Sequence, residues 1–503
     1  MKKIISLLIC FVIIFTFSLS VLAQDGGQNA FFGGIVDAPR RLGDGASVAS
    51  QSDHSSDITN ETRKAVFDAI CEGFKSYAAQ IDLASYKIPL YINTDNTSES
   101  VFFDIFYDVC EYLPEAYYVK SINYGYYYDY YGNTYISYLR PIAKDGYTKE
   151  KYENELYICE MELLKIINSI PDNLNDIQKI VYIHDYMVSN YCYDLTYTIY
   201  DMYGLLTQKT GVCQAYTMVF KSVMDRLGIE CHTSVSEIDD HIWNVVKVNG
   251  KYYYVDCTND DPTKDRLGRA IHKNLLLSYD GLIAQNNHTN PTNVPYHINY
   301  SCTDKTFEGA AFVNIQGPTF EHDGAMYGIT STLPQKLIRY SDDFLSSTVV
   351  ASYNSGYTSS NYNVSSVKIG NEVYFNGYND IVKYDFTTKS FTCVASFTTP
   401  HSLFACYLSK DGKIGVLGFN ANGTPDYTNE SGAYYDICMG DLDYDTTVTA
   451  TDLAILKNHL LGFSTDVKNI EGLADINHDY QVNLLDLVRM KMYVAGNIAN
   501  ICA

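Results

Sequence analysis

Two acidic twelve-residue loops, Asp441 to Asp452 and Asp475 to Asp486, each run into an apolar helical stretch that closes on a glycine, Gly462 and Gly496. Residues 440–462 align with 474–496 without a gap, superimposing Asp, Asp, Val, Asp, Leu, Lys and Gly. A duplicated loop and helix of this size is one structural unit used twice. In the first copy Asp441, Asp443, Asp445 and Asp452 fall at loop positions 1, 3, 5 and 12, and Thr447 offers its carbonyl at position 7. In the second, Asp475, Asn477, Asp479 and Asp486 take the same places, with the carbonyl of Gln481. That spacing wraps oxygen ligands around a hard cation, Ca2+, one in each loop. The helices are expected from Leu453 to Leu461 and from Leu487 to Ala495.

This segment resembles a type I dockerin, the module by which secreted enzymes of anaerobic, fibre-degrading bacteria attach to cohesin domains of a scaffold protein. The resemblance implies a small all-α calcium-binding unit over 438–499, two Ca2+ ions, a cohesin partner, and a cohesin contact through Ala450, Thr451, Leu484 and Leu485. It departs from the family at position 6, where glycine is usual and Thr446 and Tyr480 stand here. A side chain resists the backbone conformation such a turn tends to need.

At the other end, Lys2 and Lys3 precede an apolar run from Ile4 to Leu22 and a small residue, Ala23, so residues 1–23 read as a secretory signal peptide. No other stretch is long enough to span a membrane. With 59 acidic against 36 basic residues, the net charge of −23 argues against nucleic acid or an anionic membrane as partner. The chain is expected outside the cell, attached through a scaffold to a cellulosome or the cell surface. Its cysteines are scattered with no compact disulfide framework.

The length calls for several domains. Residues 24–57, rich in Gly, Ser, Asp and Ala, read as a linker, and 58–302 as a catalytic domain with a helical N-terminal part. Residues 303–432 break into short β-rich runs. Within them the segment from Ile338-Arg339-Tyr340 to Ala351-Ser352-Tyr353 recurs as Val382-Lys383-Tyr384 to Ala395-Ser396-Phe397. The repeat length suits four-stranded blades, but only about three fit, so a partial propeller and a sandwich both remain open. Eight tyrosines crowd Tyr124 to Tyr138 around a Gly132-Asn133 turn, which reads as half-buried strand. The fold class is multidomain α+β.

The chemistry concentrates between these regions. Gly211-Val212-Cys213-Gln214 opens an amphipathic helix with Tyr216, Val219, Phe220, Val223 and Leu227 on one stripe. Cys213 thereby sits at a helix N-terminus, where unpaired amides and the helix dipole favour a thiolate. Downstream, a strand from His241 to Val248 meets Asn249-Gly250 and returns from Lys251 to Asp256, a two-residue hairpin. Val248 then faces Lys251 and Trp243 faces Asp256. His241, two residues from Trp243, becomes a diagonal neighbour of Asp256 at roughly 7–8 Å between α-carbons. A cysteine nucleophile needs such an imidazole to move the proton and a carboxylate to orient it.

Together with His184-Asp185-Tyr186 and Tyr193-Asp194 upstream, the runs Gly-Val-Cys-Gln at 211–214, His-Ile-Trp-Asn at 241–244 and Tyr-Tyr-Val-Asp-Cys-Thr at 253–258 resemble the transglutaminase-like branch of the papain-like cysteine enzymes. The resemblance covers about 150–262. It implies a papain-like transglutaminase core, a triad of Cys213, His241 and Asp256, no organic cofactor, and a protein or peptide substrate attacked at an amide carbonyl. Hydrolysis by a peptidase or amidase is favoured over crosslinking. Two other readings stay in view. One is a non-catalytic binding module on a polysaccharide-degrading complex; the other is a glycoside hydrolase using two of the many carboxylates.

Overall fold

The computed structural model describes residues 31–38, 56–92, 98–261, 268–286, 288–354, 363–397, 403–409, 412–419, 425–426, 434–436, 439–443, 447–463, 465, 470–477, 479 and 481–502. The signal peptide, most of the linker, Asp445, Thr446 and Tyr480 lie outside them. Among the described residues no helix is long and apolar enough to cross a membrane.

The N-terminal layer is a four-stranded antiparallel sheet in the order Phe31–Asp37, Val119–Tyr128, Thr134–Ala143, Ile81–Asp82. Helices Asn60–Lys75 and Val101–Tyr112 cover it, each started by a hydroxyl N-cap, Thr59 and Ser100. Phe74, Phe102, Phe106, Ile122 and Leu139 fill the space between sheet and helices. The tyrosine-rich stretch is the central hairpin of this sheet. Tyr124 and Tyr127 point inward, while Tyr130 and Tyr131 stand at the turn with 95% and 86% of their surface exposed.

Phe31–Asp37 lies within the stretch read as linker, 24–57, yet it is a strand paired antiparallel with Ser121 to Tyr126 of Val119–Tyr128. Its Gly33 and Gly34 look like linker residues. They serve instead to admit the Tyr124 ring, which lies 2.2 Å from where a Cβ on Gly33 would stand.

The centre of the chain packs helices Lys149–Asn168, Asp176–Asn190, Met202–Gln208 and Cys213–Leu227 against a five-stranded antiparallel sheet. Its strand order is Leu275–Leu277, Lys251–Val255, His241–Val248, Cys231–Ser236, Thr292–Val294. Asn249 and Gly250 both take positive φ, 51° and 79°, as a type I′ turn requires. The hairpin register follows the sequence reading, with Val248 opposite Lys251 and Asn244 opposite Val255. The core does not stop at residue 302, since Phe307, Phe312, Ile338, Tyr340 and Phe344 belong to the same buried cluster as Cys213 and Val219.

Two four-stranded meanders follow, Phe320–His322, Ala325–Ile329, Gln335–Tyr340, Ser347–Tyr353 and then Ser366–Ile369, Glu372–Asn376, Asp380–Asp385, Ser390–Ser396. The repeat read from sequence is structural. Both meanders carry a β-bulge at the equivalent step, between Leu337 and Ile338 and between Ile381 and Val382. A third sheet, built on Lys413–Phe419, completes the region, and none of the described sheets closes into a ring.

The C-terminal unit holds helices Ala450–Leu460, Ile470–Leu473 and Leu484–Val494. The two long helices begin three residues earlier than apolar periodicity suggested, because Thr449 with Asp452, and Asn483 with Asp486, form reciprocal capping boxes. Leu456, Ile476 and Met490 share a buried cluster with Ile381, Cys406 and Ile414 of the β-rich region.

Candidate active site and metal loops

The turn that delivers Cys213 is clamped from several directions. Tyr193 pairs with Gly211 in a short parallel bridge, the amide of Asp194 donates to the Gly211 carbonyl at 2.9 Å, and that of Val212 to Ile199 at 2.9 Å. Burial would raise the pKa of Asp194. Bonds from the Thr196 hydroxyl and from the amides of Thr198, Thr196 and Ile199 hold it well below the ordinary carboxylate range instead. Gly211 has no room for a side chain, since a Cβ would meet Ala215 at 2.8 Å and Leu205 at 3.2 Å. Cys213 is therefore the first residue of its helix, buried at 0% exposure.

Helix and strand are tied together beside it. Thr217 donates from its hydroxyl to the Ile242 carbonyl at 3.1 Å, and the Asn244 amide donates to the Thr217 carbonyl at 3.0 Å. This fixes His241 against Cys213, to whose thiol it is hydrogen-bonded. The other side of the ring meets Asp256, with Nε2 at 2.7 Å from Oδ2. Burial would lower the His241 pKa, but the Asp256 carboxylate and then Cys213 outweigh it and raise it well above its ordinary value. Burial pushes Asp256 up, and the His241 charge beside it more than reverses this, so it stays ionised. Asp256 also caps helix Cys257–Asp260, accepting from the amides of Thr258 and Asn259 at 2.9 and 3.2 Å. The three residues singled out by sequence thus come together.

Two partners of Asp256 were missed. Asn259 Nδ2 reaches Oδ2 at 2.8 Å and His288 Nε2 reaches it at 2.9 Å. Asn259 was reachable from the helix cap. His288 stands in a polar loop with no periodicity to announce it.

A second buried network lies behind the first. His184 contacts Asp185 at 3.0 Å through Nδ1 and Asp260 at 3.1 Å through Nε2, and His272 Nε2 contacts Asp185 at 2.8 Å. Thr319 donates its amide and hydroxyl to Asp185 at 2.7 and 2.8 Å. Asp260 lies one helical turn from Asp256, so this network anchors the short helix that presents the catalytic carboxylate candidate.

In the C-terminal loops the carboxylate oxygens of Asp441, Asp443 and Asp452 lie within 4.8 Å of one another. Asp452 accepts from the amides of Leu442, Asp443 and Thr449, and Asp486 accepts from their counterparts Ile476, Asn477 and Asn483. The two loops are thus built alike. Asp475 accepts from the Asp479 amide at 3.1 Å. An oxygen-only donor set of this kind fits Ca2+. Ala450, Thr451, Leu484 and Leu485, predicted to meet a cohesin, are all exposed.

Comparison with known proteins follows the same division. Residues 165–257 match the transglutaminase-like superfamily, and 439–495 match the dockerin type I domain. A crystal structure of a TGase aligns at 13% identity over 25% of this chain and 41% of that one, with a TM-score of 0.20. An arylamine N-acetyltransferase from Bacillus cereus, described as having a Cys-His-Glu catalytic triad, aligns at 11% identity over 47% of this chain and 92% of its own, with a TM-score of 0.18. No curated protein matches the chain. The chain carries a transglutaminase-like domain and, at its C-terminal end, a type I dockerin domain.

Proposed function

We propose that this chain is an extracellular cysteine enzyme that cleaves amide bonds of proteins or peptides while docked to a cohesin. The observation that carries this reading is the His241 imidazole held between the Cys213 thiol and the Asp256 carboxylate, 2.7 Å from the latter. Cys213 Sγ attacks the carbonyl carbon, His241 delivers a proton to the departing amine, and the C–N bond breaks to leave a thioester. Water then attacks the thioester as His241 takes its proton, and the C–S bond breaks to regenerate the thiol and a carboxylate. The Cys213 amide, at the helix N-terminus, is the assigned oxyanion donor. Hydrolysis is preferred to crosslinking because water needs only His241, whereas a lysine acceptor needs a second protein surface.

Incubating the protein in Ca2+ with casein and a primary-amine tracer, alongside Cys213→Ala, tests this by mass spectrometry. New fragments or deamidated glutamines that require Cys213 are the expected result. Tracer incorporation would make the enzyme a crosslinker. No Cys213-dependent product would leave the binding-module reading in its place.

For the C-terminal unit we propose two Ca2+ ions. The first would be held by Asp441, Asp443, Asp445, Asp452 and the Thr447 carbonyl. The second would be held by Asp475, Asn477, Asp479, Asp486 and the Gln481 carbonyl. Ala450, Thr451, Leu484 and Leu485 would form the cohesin contact. An ion that binds only the folded unit stabilises it by about 2.7 kcal/mol at 100 times its Kd. Chelation with EGTA is expected to lower the calorimetric melting temperature of this unit and to abolish capture on a cohesin column. An unchanged melting temperature would remove calcium from the account.

A further inference from the structure

We propose that His288, outside the stretch matched by the transglutaminase-like family, is a positioning residue that locks Asp256 onto His241. This deepens the reading of Cys213, His241 and Asp256 as catalytic, and rests on it.

Asp256 Oδ2 accepts three donors: His241 Nε2 at 2.7 Å, Asn259 Nδ2 at 2.8 Å and His288 Nε2 at 2.9 Å. With Thr258 and Asn259 amides on Oδ1, neither oxygen can turn away without stranding a buried polar group. The His288 side chain is 0% exposed, and its ring sits edge-on to Trp243 at 4.9 Å, the residue that also flanks His241. Its Nδ1 has no partner among the described residues. A carboxylate oxygen can only accept, so Nε2 carries a proton and donates it to Asp256.

The loop that brings His288 in is itself fastened to the turn before His241. The Thr289 amide donates to Asp239, the Ser236 hydroxyl donates to the Thr289 carbonyl, and strand Thr292–Val294 pairs with Cys231–Ser236. Both histidines therefore approach Asp256 from elements anchored on one strand end. A donor in this place spreads the carboxylate charge over a further hydrogen bond. It lets Asp256 orient the imidazole while making it less basic than an unshared carboxylate would. The titratable groups facing this pair are Cys213, Asp239, Asp240, Tyr193 and His288 itself.

The test compares His288→Gln, which keeps a side-chain N–H donor, with His288→Met, which keeps bulk without one. The rate of carboxymethylation of Cys213 by iodoacetate, whose anion is drawn to a neighbouring imidazolium, is followed against pH by mass spectrometry of the Cys213 peptide, so the readout needs no substrate. In the wild type a bell marks the thiolate–imidazolium pair. His288→Met is expected to move the alkaline limb upward by about one pH unit, because the less-stabilised carboxylate holds the His241 proton more tightly. His288→Gln is expected to retain the wild-type limbs. On an amide substrate His288→Met is expected to lose about 10- to 100-fold in kcat with little change in KM, the scale of a small misplacement in the site. Coincident profiles for His288→Met and the wild type, or equal shifts in both variants, would overturn the proposal. A wild-type Cys213 that titrates like an ordinary thiol, with no bell, would instead remove the catalytic reading beneath it.

Discussion

Replacing Cys213 with alanine is expected to lower kcat by about 10^6-fold, and adding His241→Ala to that variant is expected to cost nothing more. The reason is the way the two side chains share one proton. His241 is hydrogen-bonded to the Cys213 thiol on one side and to Asp256 at 2.7 Å on the other. With the sulfur gone, the imidazole has no nucleophile to activate and no leaving amine to protonate. His241→Ala alone should therefore fall nearly as far, because it leaves a buried thiol with no base. Asp256→Asn should fall less, by about 10^4-fold, since the imidazole remains but in the wrong tautomer. The measurement is kcat on an amide substrate for the three single variants and for the double variant of Cys213 and His241. Multiplicative losses in the double variant would mean that the two residues act independently, and the proposed mechanism would not stand.

What the sequence made legible was what short-range chemistry fixes. The Asn249-Gly250 dipeptide dictates its own turn, and the turn dictates that Val248 meets Lys251 and Asn244 meets Val255. His241 and Asp256 follow from counting along that hairpin. Gly211 before Cys213, and the stripe from Tyr216 to Leu227, announced a helix start at the thiol in the same way. The duplicated loops were visible because position, not context, makes a calcium ligand.

What escaped depends on tertiary closure. His288, Asp260 and His272 reach their partners across loops whose paths no periodicity encodes. Phe31–Asp37 hid as linker because its glycines, read as flexibility, are packing sites for Tyr124. The bulge shared by the meanders shows the β-rich repeat to be real. Repeat length alone did not say whether the blades would form a ring.

The buried network behind the site supplies the second large effect. Asp185→Ala is expected to destabilise the central domain by about 3–5 kcal/mol, the scale for removing one partner of a buried charged cluster. Asp185 is 2% exposed and accepts from His184, His272 and both donors of Thr319, so its loss strands four groups at once. His184, fully buried, would by burial alone be less basic than a free histidine. Its contacts to Asp185 and Asp260 reverse this and raise its pKa from 6.5 to about 9. A raised histidine stabilises the fold fully below the unfolded value near 6.5, and this contribution fades as pH climbs through about 9. Burial would raise Asp185, but the His272 charge and the bonds from both histidines depress it below its ordinary 3.8, so its contribution is present above that value and is lost in acid. The difference in unfolding free energy between wild type and Asp185→Ala should therefore be widest between about pH 4 and 6.5 and should narrow toward pH 9. Urea titrations followed by near-ultraviolet circular dichroism at pH 6 and pH 9 measure it. A gap that is small, or equal at both pH values, would mean that packing rather than this charged cluster holds helix Asp176–Asn190 against the helix that presents Asp256.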